Sequence, residues 1–232
     1  MTAATPAARV LAAVGFDLDG TLFDHRGSAT DAVSAFLSDF GVNATADVTN
    51  IWFAAEDAEF EQWRAGRISF QEQRRRRLRT VLTELNIDFI DTPSELDRLF
   101  EQYLIEYRRA WRPFPDVAEV LASLRGRGYR LGQLTNGSEE QQLDKLFALG
   151  LDDSFDAVCI SEAIGFQKPD ARAFDALARS LDVEPQRCLF VGDSADKDVA
   201  GATAAGMRAL LIERHDGSAS SLAAIESALL AG

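Results

Sequence analysis

Asp17 and Asp19 close an apolar run, 10–16, within the segment Phe16-Asp17-Leu18-Asp19-Gly20-Thr21. Val10, Leu11, Val14 and Phe16 show no polar alternation, which predicts a parallel strand buried on both faces. Two carboxylates at the end of such a strand are costly unless they leave the core together and hold something positive. Gly20 lets the chain turn sharply just after them. The carboxyl ends of strands are where open α/β sheets place their chemistry. Taken alone, the pair reads equally well as an acidic strand end in a turn.

Three more polar clusters fall at the ends of predicted strands. Thr135-Asn136-Gly137-Ser138 offers a hydroxyl, an amide and a helix N-terminus, which together suit an anion. The same residues also describe an ordinary capped loop. Lys168-Pro169-Asp170 places an ammonium before a proline that keeps it out of a helix, so it either aims across the sheet edge or stays solvated. Gly192-Asp193-Ser194-Ala195-Asp196-Lys197-Asp198 brings three acids within six residues. Such oxygen donors suit Mg²⁺, and a helix N-cap accounts for one of the acids but not for the set.

The elements that must carry these residues alternate from Asp116 onward. Asp116 and Glu119 predict an N-cap pair, with Val117, Val120, Leu121 and Leu124 as an apolar stripe. Strands are predicted at 129–134, 155–160, 188–191 and 207–212. Between them lie helices opened by Ser138 and Gln141 (inner face Leu143, Leu146 and Phe147), by 171–181, and by a small-residue stretch at 195–205. A last helix carries Leu222, Ile225 and Leu229. Repeated strand–helix units imply a parallel, Rossmann-like α/β sheet with helices on both faces and right-handed crossovers.

Residues 24–112 differ. Val33, Phe36, Leu37 and Phe40 mark one amphipathic helix, the aromatic stretch 52–63 another, Leu78, Val81, Leu82 and Leu85 a third, and Leu96, Leu99, Phe100 and Tyr103 a fourth. This predicts an all-helical unit inserted after the first strand, leaving 1–23 and 113–232 as the α/β core. Arg112-Pro113-Phe114-Pro115 is its stiff exit. In the run Arg74-Arg75-Arg76-Arg77, helical angle puts Arg74 on the stripe of Leu78 and Arg76 opposite. Arg74 is therefore the candidate for a buried ion pair or an anionic substrate, while a solvated face covers the rest.

Formal charge is −13, from 24 Lys and Arg against 37 Asp and Glu, which argues against a nucleic-acid polymer as partner. A small phosphorylated metabolite stays compatible, because one metal ion or lysine reverses the local field. Cys159 and Cys188 sit in apolar runs and read as buried spectator thiols, with no disulfide framework, as a reducing cytoplasm would suit. No membrane span and no signal peptide is expected, and the first eight or so residues read as a loose arm. The expected assembly is a monomer or homodimer.

Asp17 and Asp19, Thr135, Lys168, and Asp193 with Asp198 occur in order at strand ends of one sheet. This set resembles the haloacid dehalogenase superfamily, mostly Mg²⁺-dependent phosphatases, in its D-x-D-G-T, strand-end Thr, Lys-Pro and G-D-x-x-x-x-D motifs. The resemblance covers about 10–23 and 113–213, and the helical insertion matches that family's cap. The stretch 16–25 is most similar to capped phosphatases acting on nucleotides, acylneuraminate or other sugar phosphates, and phosphoglycolate-like acids. The resemblance implies that Asp17 attacks phosphorus and that Asp19 carries the proton. It implies Mg²⁺ on Asp17, the Asp19 main-chain carbonyl and Asp193, and phosphate held by Thr135, the Asn136 backbone and Lys168. Asp198 would hold Lys168 or a metal-bound water, with Asp196 and Asp170 as rivals. The cap would close over the site on hinges near 22–24 and 112–115, with His25 and Arg74 as candidates for specificity.

The expected function is hydrolysis of a phosphomonoester. A phosphomutase shares every core motif and differs in how the cap handles water. The family's dehalogenases lack the acid at Asp19 and need no metal, so Asp19 argues against that activity. A phospho-receiver is about half this length and has no helical insertion.

Overall fold

A computed structural model describes residues 11–214 and 221–230; the expected N-terminal arm, Val10 and the side chain of Leu222 lie outside them. The first strand, β1 (Ala13–Phe16), is buried throughout, as its unbroken apolar sequence requires. Four helices follow: α1 (His25–Ser38), α2 (Ala46–Arg64), α3 (Phe70–Glu84) and α4 (Pro93–Ala110). Then come α5 (Val117–Gly126), β2 (Arg130–Thr135), α6 (Glu139–Ala148), β3 (Ala157–Ile160), α7 (Ser161–Ile164), α8 (Ala171–Ser180) and β4 (Cys188–Gly192). A π-helical turn, Ala195–Val199, leads into α9 (Ala200–Ala204), β5 (Arg208–Leu211) and α10 (Ser221–Leu230). The stretch expected as one small-residue helix is thus split by the wider turn.

The strands form one five-stranded sheet in the order β3-β2-β1-β4-β5, every pair parallel. β1 lies at its centre, with Phe16 opposite Gln133 of β2 on one side and Val191 of β4 on the other. The strand order reverses at β1, the place where the carboxyl edge of such a sheet opens into a crevice. Phe174, Leu177 and Leu181 pack with Cys159, Cys188 and Phe190 as the core on one face. Burial pushes the Cys188 thiol up to about 12, which suits a packing role.

α9 touches the backbone beside Lys168. A Cβ on Gly201 would come within 2.8 Å of the Pro169 carbonyl oxygen and 2.4 Å of the Phe174 ring. Gly201→Ala is therefore expected to lower stability by about 1–3 kcal/mol through overpacking, read from its urea midpoint against the wild type.

The chain divides into two compact units, Arg26–Trp111 and the remainder. In the helical unit, Thr45, Ser69 and Thr92 accept from the N–H groups of Val48, Glu72 and Glu95 and so start α2, α3 and α4. In its core Phe36 packs edge-on against Trp52 and Tyr103, whose ring centroids lie 4.4 Å apart. The buried arginine of the four-residue run is Arg77, not Arg74. Arg77 pairs with Glu56 at 2.9 Å and lies 5.1 Å from the Trp52 ring centroid. Arg74 is half-buried and stacks on Phe70 and Phe100 instead. The buried stripe of α3 runs through Leu78, Val81 and Leu82 as expected, but towards the helix start it continues through Arg77 and Gln73 instead of Arg74.

Within the other unit, the two chain segments that lead into and out of the helices pair with each other. Asp24 N donates to the Arg112 carbonyl and Phe114 N to that of Leu22, both at 3.0 Å. Arg112 also pairs with the Asp24 carboxylate at 2.9 Å. Arg214 donates to the Thr21 carbonyl and, at 2.7 Å, to the Asp116 carboxylate. Asp116 stands at the N-cap position of α5 but does not cap it with its side chain, because Arg214 takes the carboxylate. Among the described residues no helix is long and apolar enough to cross a membrane.

Candidate active site

Asp17 is buried at the end of the central strand, where its main-chain N–H bonds to the Val191 carbonyl of β4. Lys168, also buried, donates to Asp17 Oδ1 and, at 2.6 Å, to Asp198 Oδ1. The second oxygen of Asp198 accepts from Ser194 N at 3.0 Å, so both of its oxygens are engaged. Thr21 Oγ1 stands 3.4 Å from Asp17 Oδ2. Burial opposes the Lys168 ammonium, but the two carboxylates outweigh it and hold its pKa above the usual lysine value. Burial, reinforced by the like charges of Asp198 and Asp193 and opposed by Lys168, pushes the Asp17 carboxyl well above the carboxylate range.

Lys168 is fixed through its own backbone. Asn136 Nδ2 donates to the Lys168 carbonyl at 2.9 Å, and Lys168 N donates to Asn136 Oδ1 at 2.8 Å. The Lys168–Pro169 peptide is cis. Asn136 follows Thr135, which is buried at the end of β2, so one strand end places both the hydroxyl and the lysine. The α6 N-terminus, expected to help cradle an anion, is already occupied. Gly137 N donates to Ser161 Oγ at 3.0 Å and Glu139 N to Glu162 Oε2 at 2.8 Å. Ser138 accordingly makes no side-chain cap.

Asp17, Asp193 and Asp198 each bring a carboxylate oxygen within 4.8 Å of the others. Three hard oxygen donors facing a single lysine are the donor set that suits Mg²⁺. Asp193 stands at the exposed edge of the cluster, and partial desolvation together with the Asp198 charge pushes its carboxyl up, which a cation there would offset. Gly20, at φ +88°, makes the room: a Cβ on it would lie 2.1 Å from Asp193 Oδ2. The residues therefore fit a divalent cation. The Asp19 carboxylate is not in this cluster, which leaves its main-chain carbonyl as its possible metal donor.

Asp19 is engaged elsewhere. Lys145 Nζ donates to its Oδ1 at 2.5 Å and Gln142 Nε2 to its Oδ2 at 3.2 Å. Burial raises the Asp19 carboxyl, but Lys145 and then His25 pull it down to a net lowered value. His25 thus lies in the electrostatic reach of Asp19. Neither Lys145 nor Gln142 was expected from the sequence. Leu143 and Phe147, expected inside, are 47% and 75% exposed, whereas Gln142 and Lys145 are each 3% exposed. Leu146 is buried as expected, and the i, i+3 pair Gln142 and Lys145 flanks it on the inner face, where a rule that sends only apolar residues inside places Leu143 and Phe147. Asp170 caps α8 and pairs with Arg172, and Asp196 is exposed on the π-helical turn.

A family model described as haloacid dehalogenase-like hydrolase matches residues 11–206. A glyceraldehyde 3-phosphate phosphatase of Methanothermobacter thermautotrophicus is 32% identical over 216 residues, 88% of this chain and 86% of that one. A pyrimidine 5'-nucleotidase of Escherichia coli is 30% identical over 201 residues, 86% of this chain and 85% of that one. Among solved structures, the HAD-hydrolase YfnB of Bacillus subtilis superposes with a TM-score of 0.73 at 21% identity, over 88% of this chain and 87% of that one. The chain belongs to the haloacid dehalogenase-like hydrolases. Within that family it falls in the phosphatase branch, the hydrolases of phosphoric monoesters.

Proposed function

We propose that this chain hydrolyses a small phosphorylated metabolite through an aspartyl-phosphate on Asp17, with Mg²⁺ bound. The observation that carries this reading is the separation of the two acids of one turn. Asp17 faces Lys168, Asp193 and Asp198, while Asp19 is held apart by Lys145 and Gln142.

Asp17 attacks phosphorus as the ester oxygen leaves. Asp19, in its protonated form with the oxygen opposite Lys145 turned from Gln142 to the ester, delivers its proton to the leaving oxygen and becomes the carboxylate. Asp19 then takes a proton from the water that attacks the aspartyl-phosphate, which frees inorganic phosphate and restores Asp17. Lys168, Thr135 and the Asn136 main-chain N–H hold the equatorial oxygens as charge shifts among them. Asp17, the Asp19 carbonyl and Asp193 would hold Mg²⁺, which supplies the positive charge that lets a phosphate approach a carboxylate. Asp198 holds Lys168 in place for this. The choice of leaving group is assigned to Arg74 of the helical unit, residues 26–111, and to His25, which immediately precedes it. One relative is named for glyceraldehyde 3-phosphate and the other for pyrimidine nucleotides, which supports a small phosphorylated metabolite as the substrate class without choosing one.

The test is phosphate release from a panel of phosphorylated metabolites and p-nitrophenyl phosphate, with Mg²⁺ and after chelation. Turnover that needs the cation is expected, and no turnover with any ester would overturn the reading. Mg²⁺ at 100 times its Kd should also stabilise the fold by about 2.7 kcal/mol, measured by thermal unfolding. That gain should vanish in Asp193→Asn. A gain unchanged in this variant would remove Asp193 as a ligand.

A further inference from the structure

α6 buries two polar residues beside Leu146 and leaves two of its large apolar ones exposed. Gln142 and Lys145 face inward, while Leu143 and Phe147 lie in water. An amphipathic helix ordinarily does the reverse, because burying an ammonium and an amide is costly without partners. Here the partner is one carboxylate: the two side chains take one oxygen each of Asp19, at 2.5 and 3.2 Å. The Lys145 ammonium is also set 5.0 Å from the Phe23 ring centroid, within cation–π range. Gln142 is located in turn by a second bond to the Asn136 carbonyl at 3.3 Å. Gly137 gives it space, since a Cβ there would lie 2.5 Å from Gln142 Nε2. The hold on Asp19 is thus built from the end of β2 and one face of α6.

Of the other three acids, Asp17 and Asp198 share the second buried lysine, Lys168, and all three bring a carboxylate oxygen within 4.8 Å of one another. We propose that Lys145, aided by Gln142, is a positioning residue for proton transfer. It fixes the Asp19 carboxylate on the α6 side, where it meets the leaving oxygen instead of joining Asp17, Asp193 and Asp198. This rests on the reading of Asp19 as the proton carrier.

The leaving group provides the readout. An alkoxide needs a proton as it departs, whereas p-nitrophenolate leaves without one. Lys145→Met should therefore lower kcat/KM by about 10²-fold on the best alkyl phosphate of the panel and by under about 5-fold on p-nitrophenyl phosphate. Lys145→Arg, which keeps a donor cation, should recover part of the loss. Equal losses on both esters, or none, would overturn the proposal, because a merely structural residue does not distinguish leaving groups. Asp19→Asn is measured alongside. If it shows no leaving-group dependence, the reading of Asp19 falls. If it shows one and Lys145→Met does not, only the positioning role falls. Should Lys145→Met fail to fold, Gln142→Leu decides by the same comparison: a steeper loss on the alkyl ester supports the hold on Asp19, and equal rates overturn it.

Discussion

Asp17→Asn is expected to abolish phosphate release, with a loss on the order of 10⁴-fold or more by the scale of other hydrolases deprived of a covalent nucleophile. The amide keeps the shape of the site and removes only the attacking oxygen. Its fold should survive. Asp17 is a buried carboxylate whose ionised form is opposed by burial and by two neighbouring acids. An uncharged amide removes that penalty, and Lys168 keeps Asp198 as its partner. The metal-free variant should then unfold at the same temperature as the wild type or above it. Acid-quenched wild-type enzyme should carry a hydroxylamine-sensitive phosphate that the variant lacks. A variant that still turns over would exclude Asp17 as the nucleophile.

Lys168→Met should carry a double loss. Turnover should fall by about 10²- to 10³-fold, mostly in kcat, because an ammonium matched to the phosphoryl oxygens in the transition state is gone. Stability should fall by about 3 kcal/mol as well, since Asp17 and Asp198 are left facing each other in a buried place. Adding Asp198→Asn removes one of the stranded charges and should return part of the stability with none of the activity. Recovery of both would mean that Lys168 acts only through folding. A rise in KM alone would mean that it binds substrate and transition state equally.

The sheet was legible because its strands are short, apolar and buried, and because polar residues stand at their carboxyl ends. Phe16-Asp17, Leu134-Thr135 and Val191-Gly192-Asp193 each break from apolar to polar where a strand ends, which is how residues far apart in sequence could be assigned to one edge. The side of each helix was less legible. Arg77 rather than Arg74 turns inward because Glu56 and the Trp52 ring await it, and neither partner is visible in the periodicity of α3. Gln142 and Lys145 of α6 turn inward for the same reason. A rule that sends apolar residues inside fails where a buried carboxylate needs donors. The Asp116 cap failed because its competitor, Arg214, lies 98 residues away.

The paired segments around Asp24 and Arg112 have a bearing on how such proteins diversify. Where the chain departs for its helices and where it returns, it is hydrogen-bonded to itself across neighbouring residues. Residues 26–111 are therefore a cassette spliced into a single spot of an otherwise continuous core. Lengthening, trading or recombining that cassette leaves the strand order and the four acids where they are. On the proposed division of roles, selectivity and chemistry can be inherited separately, so that new substrates are sampled without rebuilding the reaction.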